Sequence, residues 1–501
     1  MFKNVLIFMM IFIVSTMFFN CSNPNIVSTN GNDNTNNAND SLDAGDSLNA
    51  ALNPTGDFRE DTIYFLIPPR FYDGDPSNNV HCWDDTQAQN PDTDPAWRGD
   101  YNGLIKKLDY IKALGFSAIW ITPPVKNSSG YDYHGYHAIN FKEIDPRYKT
   151  QYDTSAQESY QKLIDACHAK GIKVIQDIVL NHTGNFGEEN LYPLFRRNAP
   201  TGLNESITTA LTKIAPTGLL PTNYDSLTPG LQYSARISAM KEDTKDTNFV
   251  YHHEKSMSWE SYSVQTGQIA GDCVDLNTEN PTVQQYLRDA YQKWIGMGVD
   301  GFRIDTVKHI SRLTFNKEFI PQFKTMGGSG FFIFGEVCSR YRQVWNNGIP
   351  AISTPFFTWK EEANYNWGTR VTNEASVYQH WQDNSTVNNE PTTNNHYLNG
   401  NTYHTPDWSK RSGFDQIDFP LHWNFANAND AFGVAVGNDH LYSDATFNVT
   451  YVDSHDYAPD CAPENQRFAL GQDVWAENLS LIFTFRGIPT IFYGSEIEFQ
   501  K

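Results

Sequence analysis

Short apolar runs that close on polar or ionisable residues recur along this chain, separated by amphipathic helical stretches. That alternation limits its architecture more than any other feature. TIYFLIP (62–68), SAIWITP (117–123), IKVIQDIVL (172–180), GFRID (301–305), FFIFGEV (331–337), QIDFPL (416–421), FNVTYVD (447–453) and PTIFYG (489–494) are eight strand candidates. Between them, YNGLIKKLDYIKALG (101–115) reads as a helix ending at Gly115, and SAQESYQKLIDACHAKG (155–171) as one closed by Gly171. A third helix has Pro281 in its first turn, Asn280 as N-cap, and runs to Met297. Buried strands alternating with helices imply a parallel sheet, and eight of them an α/β fold of the (β/α)8 TIM-barrel type.

Two long excursions interrupt the alternation, 183–272 after the third strand and 338–412 after the fifth. Long connections at the C-terminal ends of barrel strands are where sites are elaborated. In GFRID, Phe302 and Ile304 face one way while Arg303 and Asp305 face the other, a cation beside a carboxylate just where the strand ends. Taken alone, an Arg-x-Asp of this kind reads as a structural ion pair. DIVLNH (177–182), FGEV (334–337) and YVDSHD (451–456) close other strands in the same manner. In a barrel, Asp305, Glu336 and Asp456 then converge at one mouth with His182, Arg303 and His455, a gathering that packing does not explain.

The chain of 501 residues carries a formal charge of −21, which disfavours nucleic acid or an anionic membrane surface as partner. Aromatics at 14% together with many carboxylates suit a neutral polymer such as a glycan. The N-terminus reads as an export signal: Lys3 precedes an apolar stretch from Val5 to Phe19, shorter than the roughly 20 residues that span a bilayer. It ends at Cys21, in an arrangement that resembles a bacterial lipoprotein signal, although Phe18, Phe19 and Asn20 are bulkier than usual there. The alternative is ordinary secretion. Residues 22–56, rich in Asn, Asp and Ser, read as a flexible tether. The other cysteines, Cys82, Cys167, Cys273, Cys338 and Cys461, are widely spaced without a CxxC pair, which argues against a zinc site; Cys167 suits a core thiol.

DIVLNH, GFRIDTVKH, FGEV and YVDSHD, in that order, with CVDLN (273–277) and GIPTIFYGSE (487–496), resemble the signature regions of the α-amylase family, glycoside hydrolase family 13. The resemblance implies a catalytic barrel over 57–182 and 273–501, with 183–272 as an inserted domain after strand three. It implies Asp305 as nucleophile, Glu336 as acid/base and Asp456 as the third carboxylate. The residue types suit those roles, since Arg303 would keep Asp305 ionised and the apolar run before Glu336 would hold its proton. His182 and His455 would hydrogen-bond sugar hydroxyls; within YDYHGYHAINF (131–141) Tyr136 would stack on the sugar with His134 beside it, and Lys308 would contact the leaving-group side.

Calcium is implied twice. Asn181, Asp275 and His309 (through its carbonyl) match one family site, whose oxygen ligands suit a hard cation. Asp73, Asp75, Asn78, Asn79 and Asp100 resemble a second calcium loop, for which an Asp/Gly/Asn-rich turn is the alternative. Ser454 and His137 depart from the family pattern in subsite details only. The chain stops just past the eighth strand, without the last barrel helix and the β-sandwich domain of the family, so a fragment is expected, an unusual barrel closure being the alternative.

The expected function is endo-acting, retaining hydrolysis of α-1,4-glucosidic bonds by a monomer whose only membrane contact is an N-terminal lipid anchor. A 4-α-glucanotransferase is the alternative; Gly271, where cyclodextrin formers carry an aromatic, disfavours cyclisation. A non-catalytic starch-binding lipoprotein is the third reading, opposed by the three intact carboxylates.

Overall fold

A computed structural model describes residues 57–79, 98–127, 134–184, 186–197, 211–213, 220–228, 246–253, 256–270, 273–339, 346–393, 407–462, 467 and 470–499, together with 231, 234, 235, 238 and 239. Cys21, the 22–56 tether, Cys82 and Gly271 lie outside these residues. No described helix is long and apolar enough to cross a membrane.

The barrel strands are β1 (Ile63–Leu66), β2 (Ala118–Ile121), β3 (Lys173–Val179), β4 (Gly301–Asp305), β5 (Phe332–Gly335), β6 (Asp415–Gln416), β7 (Val449–Thr450) and β8 (Ile488–Phe492). They form one eight-stranded sheet in the order β6-β5-β4-β3-β2-β1-β8-β7, and a parallel bridge between Ile417 and Val449 joins its two ends. This is the (β/α)8 barrel that the alternation implies. The pleat divides each strand between two cores. Phe65, Trp120, Ile175, Phe334, Ile417, Tyr451 and Phe492 fill the barrel. Tyr64, Ile119, Ile178, Ile304 and Ile333 face outward into the layer of helices.

Helices α1 (Tyr101–Ala113), α2 (Ala156–Ala169) and α3 (Pro281–Gly296) each start on a side-chain cap. Gly103 N donates to Asp100, Glu158 N to Ser155, and Thr282 N to Asn280, at 2.6, 3.1 and 3.0 Å. Gly171, with φ of 66°, releases the chain from α2 into β3. Cys167 is buried on α2, and burial pushes its thiol well above the ordinary range.

QIDFPL departs from the strand expected of it. Only Asp415–Gln416 pair as β6, because the Asp418 carboxylate accepts Leu421 N at 3.2 Å and starts a short helix, Phe419–Trp423, with Pro420 in its first turn. FNVTYVD likewise contributes only Val449–Thr450.

The stems of the first excursion are zipped together, since His182–Gly184 pairs antiparallel with Cys273–Asp275. The second excursion, after β5, returns to the barrel's outer helices. Following β4, the chain runs through a π-helical turn, Phe315–Phe319, into α4 (Ile320–Gly327), while the excursion carries α5 (Arg370–Asn384). Asn316 Oδ1 accepts Glu361 N at 3.0 Å, and Arg312 Nη1 donates to Trp359 O at 2.7 Å. The Glu361 carboxylate also pairs with Arg312 Nη2 and takes a 3.0 Å hydrogen bond from His380 on α5.

Burial alone would raise the Glu361 carboxyl, but His380 and Arg312 outweigh it and hold the group at about 2 against an ordinary 4.5. A carboxylate depressed on folding stabilises the fold above its unfolded value, and the contribution is lost as pH falls through the folded one. The anchor of the second excursion should therefore weaken between about pH 4.5 and pH 2, by about 3 kcal/mol in all. His380, which burial depresses, begins the loss at higher pH. Denaturant titrations across pH should show this slope in the wild type and a shallower one in Glu361→Gln; equal slopes would remove the anchor from the account.

Candidate active site

The guanidinium of Arg303 lies at the centre of the barrel's C-terminal end, 1% exposed. In register, Arg303 pairs with Asp177 of β3 and Phe334 of β5, so the inward side chains of three strands meet at one level. Arg303 Nη1 donates to Asp305 Oδ1 at 2.8 Å and to both oxygens of Asp177 at 3.1 and 3.0 Å, while Nη2 donates to Glu336 Oε2 at 2.8 Å. Asp305 and Glu336 are thus held by the two terminal nitrogens of one guanidinium. Charge-assisted bonds from a rigid fork are short and directional, which fixes both carboxyl groups.

The second acid is kept apart from the first by its surroundings. Burial pushes the Glu336 carboxyl well above its usual range; Arg303 opposes the shift, and the neighbouring Asp305 and Asp456 carboxylates reinforce it. The apolar run before Glu336 is thus only part of its setting, because a cation also touches it. Asp456 behaves in the opposite way. Burial would raise it, but His455 and Arg303 hold it below the ordinary carboxylate value. Two carboxyl groups driven in opposite directions within one site suit one proton donor and one group that stays anionic.

The remaining residues singled out in the sequence join this network. Tyr136 hydroxyl donates to Asp177 Oδ2 at 2.8 Å and lies 3.1 Å from His455 Nε2, which also approaches Asp456 Oδ2 at 3.0 Å. The Tyr136 and His455 rings are stacked, with centroids 5.7 Å apart. His134 Nδ1 accepts Tyr136 N at 3.2 Å, and His182 Nε2 donates to Tyr136 O at 3.2 Å. Lys308 Nζ reaches Cys338 O at 3.4 Å and lies over the Trp259 ring at 5.4 Å. Ser454 Oγ accepts the amides of Asp456 and Tyr457 at 3.3 and 3.1 Å, so it shapes the turn that presents Asp456.

Three contributors escape the sequence reading. Asp177, fully buried in β3, accepts from Arg303, Tyr136 and Trp120 Nε1, and burial with its neighbours leaves its carboxyl pushed up to about 6. Its signal was an ionisable residue inside the apolar run VIQDIVL, two positions after Ile175 and so on the same face of the strand. Trp120 lies under the guanidinium at 5.2 Å and is stacked on Phe65. Trp259, about half exposed, came from an excursion without periodicity. A fourth feature is conformational. Thr306 has φ of 51°, in the left-handed region that β-branched residues avoid. That turn aims its N–H at Glu336 Oε2, at 3.3 Å. Strain of this kind costs on the order of 1–3 kcal/mol and persists where surroundings enforce it.

The two expected cation loops differ in how their side chains are used. Asp275 Oδ2 accepts from His252 Nδ1 at 2.7 Å, while its Oδ1 is buried without a hydrogen-bond partner among the described residues. The amide nitrogen of Asn181, the neighbour of Asp275, is in the same condition. A side-chain amide and a carboxylate oxygen buried without partners are donors of the kind that fit a hard cation. His309 sits in the turn after β4, its ring bonded to Val264 O at 3.0 Å. In the other loop Asp73, Asn78, Asn79 and Asp100 converge: Asn79 Nδ2 donates to Asp73 at 2.8 Å and Asn78 Nδ2 to Asp100 at 3.3 Å, and Asn79 Oδ1 is buried without a partner among the described residues. Asp75 is turned elsewhere, its carboxylate taken by Ser77 N and Oγ and by Gln151 N and Nε2. Among the described residues, no three His, Cys, Asp or Glu side chains gather as a metal cluster.

The sequence model of the alpha amylase catalytic domain matches residues 65–501. A cyclomaltodextrin glucanotransferase from Geobacillus stearothermophilus is 27% identical over 464 residues, covering 88% of this chain and 49% of that protein. A beta/alpha-amylase from Paenibacillus polymyxa is 26% identical over 472 residues, covering 90% of this chain and 29% of its own length. The chain therefore spans half or less of the length of these relatives. An Anoxybacillus alpha-amylase shares the fold with a TM-score of 0.53 at 22% identity, over 88% of this chain and 72% of that one. CldA, a cyclomaltodextrin glucanotransferase with a three-domain ABC distribution, does so with 0.54 at 23% identity, over 88% and 72%.

If Arg303 is what holds these carboxylates in place, Arg303→Leu leaves three of them buried and uncompensated. It should lower the unfolding free energy by about 3–5 kcal/mol, read by urea denaturation. Arg303→Lys, which keeps the charge and loses the fork, should recover part of the loss. A leucine variant as stable as wild type would remove the guanidinium from its central place.

Proposed function

The chain belongs to the alpha-amylase catalytic-domain family, and from that premise we propose that it hydrolyses internal α-1,4-glucosidic bonds of starch, glycogen or malto-oligosaccharides with retention of configuration. The observation that carries the reading is the contact of Asp305 and Glu336 on one guanidinium. Retaining glycosidases hold their two carboxyl groups about 5–5.5 Å apart, whereas inverting ones need about 6.5–9.5 Å to admit a water. Two carboxyl groups bonded at 2.8 Å to the two terminal nitrogens of one guanidinium suit the closer arrangement.

In this reading Asp305, bonded to Arg303, attacks the anomeric carbon while Glu336 gives its proton to the departing glycosidic oxygen. The bond to the leaving sugar breaks as the glycosyl ester on Asp305 forms. Glu336, now ionised, takes a proton from an entering water, whose oxygen attacks the same carbon and frees Asp305. Asp456, kept anionic by His455 and Arg303, stabilises the positive charge that develops on the sugar ring. Tyr136 offers its ring to the sugar at the cleavage point, with His134, His182 and His455 for its hydroxyls. Lys308 and Trp259 meet the leaving portion.

A glucanotransferase differs only in what accepts the glycosyl group, a sugar hydroxyl in place of water. The Geobacillus relative favours keeping that second reading. Asn181, Asp275 and the His309 carbonyl would hold a calcium ion, as would Asp73, Asn78, Asn79 and Asp100. Such an ion supplies structural cross-linking, since the first set joins the stems of the excursion to the turn after β4. The proposal extends to an exported chain tethered at Cys21 by lipid and acting as a monomer, its barrel spanning 57–182 and 273–501 around the inserted 183–272 domain.

Asp305→Asn and Glu336→Gln should each abolish starch cleavage, monitored by reducing-sugar release, with the fold intact by circular dichroism. With a glycosyl fluoride, whose leaving group needs little acid help, Glu336→Gln should be partly spared and Asp305→Asn should not. Activity of Asp305→Asn within tenfold of wild type would sink the assignment. For calcium, excess chelator should lower the melting temperature, because an ion in roughly hundredfold excess over its Kd stabilises the folded form by about 2.7 kcal/mol. An unchanged melting temperature, with no calcium found by elemental analysis, would refute the ion's role.

A further inference from the structure

We propose that the aromatic surface of α5 around Tyr378 extends the cleft on the leaving-group side and binds the glucan chain beyond the bond that is cut. This inference rests on the α-glucan reading above. A continuous line of contacts leads there from the site. Lys308, in the turn directly after β4, lies 5.4 Å from the Trp259 ring, and His309 meets the same ring edge-on at 5.5 Å. Three residues further on, Tyr262 opens a 3-10 turn whose Val264 carbonyl is bonded to His309. Tyr262 meets Tyr378 of α5 edge-on, with centroids 5.0 Å apart.

The two ends of this line face solvent. Trp259 is 52% exposed and Tyr378 51% exposed. Tyr378 stands on a fixed base. Trp381, one turn from Tyr378 on α5, is buried with Val264, Ala351 and Ile352, and Tyr262 packs against that cluster. Aromatic faces held rigidly in the open, in line with the cleft, give a sugar ring an apolar platform at little entropic cost. A glucan chain that leaves the cleft past Lys308 meets Trp259 first and Tyr378 after it. Charge agrees with a neutral occupant, since the chain carries −21 overall and would repel a polyanion.

The test uses the full chain as wild type, Tyr378→Ala and Tyr378→Phe, with thermal unfolding to verify that all three fold. Two readouts are needed: retardation in native gels containing amylopectin, and kcat/KM on long amylose relative to a short malto-oligosaccharide. Tyr378→Ala should bind amylopectin about three- to tenfold more weakly, and its kcat/KM should fall further on amylose than on the short substrate. Tyr378→Phe, which keeps the ring, should restore both. If wild type cleaves amylose and Tyr378→Ala matches it in both readouts, the surface falls while the hydrolase reading stands. If wild type cleaves neither substrate yet is retarded in a Tyr378-dependent way, the hydrolase reading falls while the surface stands.

Discussion

A single buried cation organises the working end of this barrel. Three carboxylates from three adjacent strands, Asp177, Asp305 and Glu336, converge on Arg303. Without it they would repel one another in a place that water cannot screen. The rest of the site is hung on that arrangement: Asp177 orients Tyr136, Tyr136 faces His455, and His455 pairs with Asp456. Asp177 thus serves as a relay between the cation and the aromatic wall of the cleft. The barrel's strand register puts these groups at one height, so the fold and the charge network impose the same geometry from two directions.

The division of labour along the chain follows from where backbone is rigid. The carboxyl groups come from strand ends or the turn just beyond β7, while the aromatics Trp259 and Tyr378 come from the two excursions. In the proposed reading, chemistry that tolerates little displacement sits on the scaffold, and contacts with a long polymer, which tolerate more, sit on the additions. That partition fits the relatives, which share the catalytic domain at under 30% identity yet carry the names of both transferases and amylases.

Much of this was legible in the sequence because local pattern and global fold agree. GFRID reads as a strand and is one, residue for residue, since its alternation serves two different cores. The start of α3 followed from Asn280, whose side chain caps without help from distant residues; Asp100 and Ser155 cap α1 and α2 in the same way. QIDFPL misled because its apolar residues are those of a barrel interior, while the Asp418 cap that bends the chain into a helix is decided by local hydrogen bonding. Asp177 stayed hidden because its role depends on the register of β3 against β4, which no single segment encodes. Asp75 was grouped with the loop residues by resemblance to a family calcium loop. Its carboxylate is held by Gln151, a residue distant in sequence.

The left-handed turn at Thr306 has a mechanical consequence. It brings the Thr306 N–H onto Glu336 Oε2, Val307 N donates to Glu336 O at 2.9 Å, and Glu336 N returns a bond to Ile304 O at 2.9 Å. These bonds tie the tips of β4 and β5 together just where the carboxyl groups emerge. Asp305 and Glu336 consequently travel as one body when the barrel breathes. Motions of the surrounding helices can tilt that body but have little leverage on the interval between the two groups, the dimension on which a displacement of about 1 Å weighs most.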